Sequence, residues 1–375
     1  MPAPTFNLPI DTAHFLREHW QRKPLLIRNA IAGFAPPIDA NELAGLAMEA
    51  EVESRIVEEA GGQWRLYHGP FQAGDFDRSG PWSLLVQAVD QYVPEVAALQ
   101  QLASFVPQWR ADDVMVSYAS HGGSVGPHFD HYDVFLLQGE GQRRWRLGQQ
   151  CDNRSPLLAG CDLRILTEFH SQQDYLLNPG DLLYVPPGLA HWGIAEGECT
   201  TFSIGFRAPS RGDLLARLTD GILNDAPARE LVADPARQAA ERAGEISRAD
   251  IEQARRQALS LLEAAGDPSW LGELVTEPRY VVEGAEVNDG ELAELFSGRA
   301  LLWRDGASRL AWAEHQDRLY VFANGASAAF DYALQPWLQG LCASGQAPCK
   351  HLDASHPAAP ELLTFLIENG AAYVE

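Results

Sequence analysis

Basic residues are scarce in this chain. Lys and Arg number 28 against 51 Asp and Glu, a formal net charge of −23. That excludes sequence-independent binding to DNA or RNA, which needs many cations against phosphates. An acidic field attracts basic partners instead. Long apolar runs are missing too, none approaching the ~18 residues of a membrane span. Residues 1–10, with three prolines, have neither the basic nor the apolar region of a signal peptide. Cysteine is sparse as well. Cys151, Cys161, Cys199, Cys342 and Cys349 are odd in number, scattered and free of any CxxC, so neither a disulfide framework nor a zinc ribbon is expected. What remains is the expectation of a soluble, acidic, cytoplasmic protein without a membrane anchor. Its 375 residues allow two or three domains at roughly 150 residues each.

Hydrophobic residues make up 46% of the chain, and their pattern changes along it. Asp11 or Thr12 caps a helix through Phe15, Leu16 and Trp20 that Pro24 stops, and Leu25-Leu26-Ile27 reads as a short buried strand. Residues 40–50 and 82–92 read as helices, with Pro81 near the first turn of the second. From 113 to about 207 short β-type runs alternate with turn residues: 114–118, 129–138, 143–147, 182–185 and 200–206. This spacing predicts a compact β-barrel or sandwich. Helical patterns then cover 213–224 and 247–265. In the second, Ser247 and Asp250 form a capping box, and Ile251, Ala254, Ala258, Leu261 and Leu262 lie on one stripe. Two such helices make a poor independent core, so they are expected to connect or to dimerise. From 276 onward the order is helix, two or three short strands and two helices, which resembles a winged helix. Six basic residues against fourteen acidic ones in 276–375 argue against direct DNA binding there.

His128-Phe129-Asp130, with His191 far downstream, is the strongest chemical signal. In a strand, residues i and i+2 share a face, so His128 and Asp130 converge. A second His from a neighbouring strand completes two imidazoles and a carboxylate, the facial set of non-heme Fe(II) oxygenases, which leaves positions for a cosubstrate and dioxygen. His131-Tyr132-Asp133 is a competing HxD that faces the other way. Parity bears on the choice. If Glu140-Gly141 form a two-residue hairpin loop, Gln138 pairs with Arg143, and Arg143 shares a face with His128, Asp130, Trp145 and Leu147. Arg144 and Arg146 then point outward. An inward Arg among apolar residues needs an anion, and a dicarboxylate cosubstrate suits its planar fork. The alternative is a hairpin with a structural Arg–carboxylate pair.

The run Asn178-Pro179-Gly180-Asp181-Leu182-Leu183-Tyr184-Val185-Pro186-Pro187-Gly188-Leu189-Ala190-His191 is more specific. A turn, an apolar strand and a Pro-rich corner deliver one His to a barrel mouth. Together with His19-Trp20-Gln21-Arg22-Lys23-Pro24, Val125-Gly126-Pro127-His128-Phe129-Asp130 and Gly205-Phe206-Arg207-Ala208-Pro209, it resembles the JmjC-type 2-oxoglutarate oxygenases. Specifically, the chain is similar to bacterial ribosomal oxygenases that hydroxylate an arginine of large-subunit ribosomal protein sixteen.

The resemblance implies an α+β protein: a double-stranded β-helix (cupin/JmjC) barrel over 1–209, a helical dimerisation region over 210–275, and a winged-helix-like domain over 276–375. It implies His128, Asp130 and His191 as iron ligands and Arg143 as the residue binding the distal carboxylate of 2-oxoglutarate, with Ser117 helping. Fe(II), 2-oxoglutarate and dioxygen are the expected cofactor and cosubstrates. A basic ribosomal protein is the expected partner of a homodimer. Two alternatives stand beside this: the same chemistry on another side chain (histidyl hydroxylation or lysyl demethylation), or a non-catalytic cupin binding a basic partner. His121 and His170 read as loop histidines. Cys342, Cys349 and His351 fit no zinc motif.

Overall fold

Strands buried on both faces read as continuous apolar runs, and two such runs organise the first half of the protein. The computed structural model describes residues 6, 8–223, 229–235, 237, 239, 242–264, 266–352 and 356–375. The predicted helix ends at Asn224 and Ala265 lie outside these. The chain divides into two units, Met1–Ala208 and Pro209–Glu375.

The first unit begins with α1 (Thr12–Glu18), whose N-cap Asp11 accepts the His14 N–H, then β1 (Leu25–Ile27). Next comes α2 (Ala40–Leu46), opened by a capping box between Asp39 and Glu42. β2 (Ser54–Ala60), β3 (Gln63–His68), β4 (Trp82–Val86), α3 (Pro94–Ala97) and β5 (Ala111–Ala119) follow. β6 (Val134–Gln138), β7 (Arg143–Gln150), β8 (Gln173–Leu177), β9 (Leu182–Val185), β10 (Leu189–Ala195) and β11 (Cys199–Phe206) complete the unit. An antiparallel eight-stranded sheet in the order β1-β9-β6-β11-β5-β4-β2-β3 faces a three-stranded sheet, β10-β7-β8. Alternate residues of β6 and β9 serve two cores. Val134, Leu136, Leu183 and Val185 pack with Trp145, Leu147 and Leu177 of the small sheet. Phe135, Leu137, Leu182 and Tyr184 pack with Phe15, Leu99 and Leu102 on the other face. The period of two thus divides one strand between the sandwich interior and a helical layer.

Three expectations need correction. Residues 82–92 are not a helix: β4 occupies 82–86, pairing with β2 and β5. Its residues, Ser83 included, are all buried, so no alternation marked a strand rather than a helix. Residues 129–133 are not strand; β6 starts at Val134. Nor do β6 and β7 form a hairpin. β6 pairs with β9 and β11, and β7 with β10 and β8. The chain crosses between sheets at residues 139–142. Gly139 N–H donates to the Thr200 carbonyl at 2.9 Å, and Gly141 (φ +60°) passes so close to the Glu198 carbonyl that a Cβ would overlap it. The alternation along β7 survives the crossing, with Arg143, Trp145 and Leu147 buried and Arg144 and Arg146 partly exposed.

The second unit holds α4 (Arg211–Leu223), α5 (Arg248–Glu263) with the Ser247–Asp250 capping box, and α6 (Ser269–Thr276), a helix the sequence reading did not assign. α7 (Asp289–Ser297), β12 (Leu302–Arg304), β13 (Leu310–His315), β14 (Arg318–Ala323) and β15 (Ala326–Asp331) follow. Then come α8 (Gln335–Ser344), β16 (Gln346–Ala347), α9 (Ala358–Glu368) and β17 (Ala372–Val374). The sheets β16-β12-β17 and β13-β14-β15 cover a core built from Leu302, Leu319, Val321, Leu338, Leu362 and Leu366. No described helix is long and apolar enough to cross a membrane.

Candidate metal centre

His128, Asp130 and His191 are brought together, each offering one ligand atom within 4.8 Å of the others. They converge by a route other than a regular strand. His128, in the loop before β6, forms an isolated antiparallel bridge with His191 on β10. The two residues exchange both backbone hydrogen bonds, His128 N–H to the His191 carbonyl at 3.0 Å and the reverse at 2.8 Å. Their rings lie 4.2 Å apart. Gly188 N–H donates to the Asp130 carbonyl at 2.7 Å, fastening the Pro-rich corner to the carboxylate's backbone. Asp130 Oδ2 is 3.5 Å from His191 Nε2.

Each imidazole is oriented from behind. His128 Nδ1 meets the Gly126 carbonyl at 2.9 Å, and His191 Nδ1 meets the Leu189 carbonyl at 3.0 Å. A carbonyl only accepts, so Nδ1 carries the proton and both Nε2 lone pairs are left for a ligand. His191 is 2% exposed. Burial, helped by the neighbouring His128, pulls its pKa down to about 4, against Asp130 and the Leu189 carbonyl. A neutral imidazole is what a metal requires. Tyr132 presents a 44% exposed side chain. Desolvation, with the charges of nearby Asp130, Asp113 and Asp112, pushes the pKa of its hydroxyl upward. The second HxD does not join the centre. Asp133 turns away, accepting from the Tyr184 hydroxyl at 2.6 Å and Gln21 Nε2 at 2.9 Å, and His131 is exposed.

Arg143 is 7% exposed and donates through Nη1 to Ser117 Oγ at 3.3 Å, so the two residues expected to hold the cosubstrate meet. Its Nε and Nη2 are buried without a partner. Buried guanidinium donors left open are costly; a carboxylate from a small molecule would satisfy them. The Trp145 ring lies 5.8 Å from the Arg143 guanidinium carbon and 5.9 Å from the His191 ring. Its buried indole Nε1 also lacks a partner. A Cβ at Gly193 would come within 2.7 Å of this indole, so the strand carrying His191 needs glycine there. Sequence reasoning set Trp145 on the inner face without giving it a role, and it missed Ser124 and Trp192. The available signals were a serine inside a glycine-rich bend and a tryptophan directly after His191.

Two families match the chain: the JmjC domain over residues 98–214 and the ROXA-like winged helix over 268–373. The Escherichia coli ribosomal protein uL16 3-hydroxylase is 36% identical over 279 residues, 74% of either chain. The chain belongs to the JmjC ribosomal oxygenases. A probable ribosomal oxygenase of Haemophilus influenzae is 40% identical over 227 residues, 59% of this chain and 56% of that one. Among solved structures of the family, that of the Escherichia coli ribosomal oxygenase YcfD in complex with cobalt and 2-oxoglutarate matches with a TM-score of 0.83 and 32% identity. It covers 99% of both chains.

Proposed function

We propose that this protein is an Fe(II)- and 2-oxoglutarate-dependent oxygenase that hydroxylates an arginine side chain of large-subunit ribosomal protein uL16. The observation that carries the reading is the conjunction of two imidazoles and a carboxylate with a buried, part-unpaired guanidinium in the same unit. A binding module has no use for both. The donor set suits a divalent ion bound on one face, and Arg143 suits a dicarboxylate. The family relatives' names and the cobalt and 2-oxoglutarate complex support this assignment.

In this reading His128, Asp130 and His191 hold the metal through Nε2, a carboxylate oxygen and Nε2. Fe(II) with 2-oxoglutarate and dioxygen supplies the oxidising power, 2-oxoglutarate leaving as succinate and carbon dioxide while one oxygen atom enters a C–H bond. The chain's own residues bind, orient and exclude water. Arg143 grips the far carboxylate, Ser117 Oγ steadies Nη1, and Trp145, Leu147 and Leu177 wall the interior. Near Tyr132, the acidic residues Asp112 and Asp113 favour a cationic side chain. The net charge of −23 does the same for a basic ribosomal protein at longer range. Its place of action is then the cytoplasm, where ribosomes assemble.

The division into 1–209, 210–275 and 276–375 belongs to the same proposal, with the middle segment dimerising. Leu215 and Leu223 of α4 and Ile251 and Leu259 of α5 are exposed, more apolar surface than a linker normally shows. A sedimenting monomer at micromolar concentration sinks the dimer and leaves the chemistry standing. The chemistry is tested by incubating anaerobically purified protein with Fe(II), 2-oxoglutarate and a uL16 peptide. The expected product is an arginine heavier by one oxygen atom, formed with succinate. Modification at a different residue type, or none, overturns the proposal.

A further inference from the structure

The orienting carbonyl of His128 belongs to Gly126, and Gly126 is itself held. Its N–H donates to Ser124 Oγ at 3.0 Å. The backbone there has φ +80°, and a Cβ would lie 3.0 Å from Ile165 and 3.2 Å from Trp64, so the peptide is tightly confined. The same Ser124 oxygen accepts the Trp192 indole N–H at 2.9 Å. Trp192 directly follows His191 on β10. Phe169 meets its ring edge-on at 5.9 Å, and the Arg146 guanidinium lies 5.7 Å away. Ser124 is buried, and two donors converge on its single hydroxyl.

We infer that Ser124 is a positioning residue shared by both histidines of the metal centre. One oxygen ties the turn that aims His128 to the strand that carries His191, fixing the two imidazoles relative to each other. Groups one step removed from the metal ordinarily act on one ligand each; here a hydroxyl reaches both, through Gly126 on one side and Trp192 on the other. Oγ loss leaves two N–H groups without an acceptor and frees both tethers at once. The inference rests on the metal-centre reading above.

The test uses full-length protein, stripped of metal and titrated anaerobically with Co(II), whose visible absorption reports coordination. Ser124→Ala should weaken Co(II) roughly 10- to 100-fold and shift the absorption bands. Trp192→Phe, which deletes one of the two donors, should cause a smaller loss of the same kind. The double variant should bind no more weakly than Ser124→Ala alone, because both changes break one shared tether. A merely structural serine would lower the melting temperature while leaving Co(II) affinity and spectrum intact in the folded protein, and that result overturns the inference. So do additive losses in the double variant. Should Ser124→Ala not fold, Trp192→Phe decides alone: weaker Co(II) supports the tether, unchanged affinity removes it. Wild-type protein that takes up no Co(II) would defeat the metal centre itself, a result distinguishable from failure of the tether.

Discussion

Replacing Arg143 by methionine should move two properties in opposite directions. In the unliganded protein this guanidinium is buried, with Nη1 on Ser117 and with Nε and Nη2 unpaired. Each unsatisfied buried donor costs about 1–3 kcal/mol, and an uncompensated buried charge adds to that. Methionine has a similar reach, carries neither donors nor charge, and adapts to irregular space. Unliganded Arg143→Met is therefore expected to be as stable as the parent or up to roughly 3 kcal/mol more stable. Binding should suffer. A charge-assisted bidentate contact in a partly dry site is worth about 2–4 kcal/mol once the stranded carboxylate is counted. At ~1.4 kcal/mol per decade, 2-oxoglutarate should bind roughly 30- to 1000-fold more weakly. Thermal denaturation without and with saturating 2-oxoglutarate reads both effects, and calorimetry on Co(II)-loaded protein gives the affinity. Arg143→Lys should recover part of the loss, because charge returns without the fork. Asp130→Ala should do the reverse, losing metal first. Unchanged 2-oxoglutarate affinity in Arg143→Met would refute the reasoning, and the carboxylate anchor would then lie on another strand.

Metal identity gives a second expectation: two imidazoles and a carboxylate bind Zn(II) more tightly than Fe(II), so protein purified in air should carry an inert ion, and product analysis should show turnover only after exchange to Fe(II) with a reductant. Turnover with zinc as the sole metal contradicts the oxygenase reading. Asp90 gives a pH dependence. Burial, with smaller pushes from Asp113 and Asp112, raises its carboxyl from 3.8 to about 7, against the Val114 N–H. A folded pKa above the unfolded one means the native state holds the proton more tightly. The stabilisation is complete below about pH 4 and is lost as pH rises through about 7, at up to ~1.4 kcal/mol per pH unit. Asp90→Asn should flatten the stability profile across that window in denaturant titrations, and an unaltered slope counts against it. Gly193→Ala pushes a methyl against Trp145, whose ring is 2.7 Å from the built Cβ. It should cost about 1–3 kcal/mol in denaturant-measured stability; a neutral result would mean the indole shifts freely.

The centre was more legible in the sequence than the fold that carries it. His128, Asp130 and His191 stand in short motifs whose residue types restrict the chemistry, and Arg143 declared itself by alternating with Arg144 and Arg146 around Trp145. The inference that Arg143 faces inward held even though its premise, a hairpin from β6 to β7, did not. Alternation is a property of one strand, whereas the choice of partner strand is made by residues far away. Gly139 and Gly141 show why: they read as a tight turn, yet their neighbours Thr200 and Glu198 come from β11 and the turn before it. β4 was mistaken for a helix because burial on both faces erases the period. β2 and β3 went unassigned because Glu58, Glu59 and Arg65 place charge on strands near the sheet edge. Ser124 and Trp192 were illegible for a similar reason, their link being a single hydrogen bond between distant segments.

Under the proposed metal reading, the ladder rung between His128 and His191 has a consequence for how a metal would be acquired. The two nitrogen donors belong to different segments, and their separation is imposed by the main chain. No chelate exists in the nascent polypeptide. It comes into being when β10 docks beside the loop before β6, and from then on the two imidazoles behave as a rigid bidentate ligand with little freedom to widen or narrow. Such a claw gains affinity because its entropy is spent in folding, but two imidazoles and a carboxylate accept several divalent ions of similar size. Selection among metals then passes from the protein to its surroundings, to whichever divalent ion is abundant and exchangeable when folding ends.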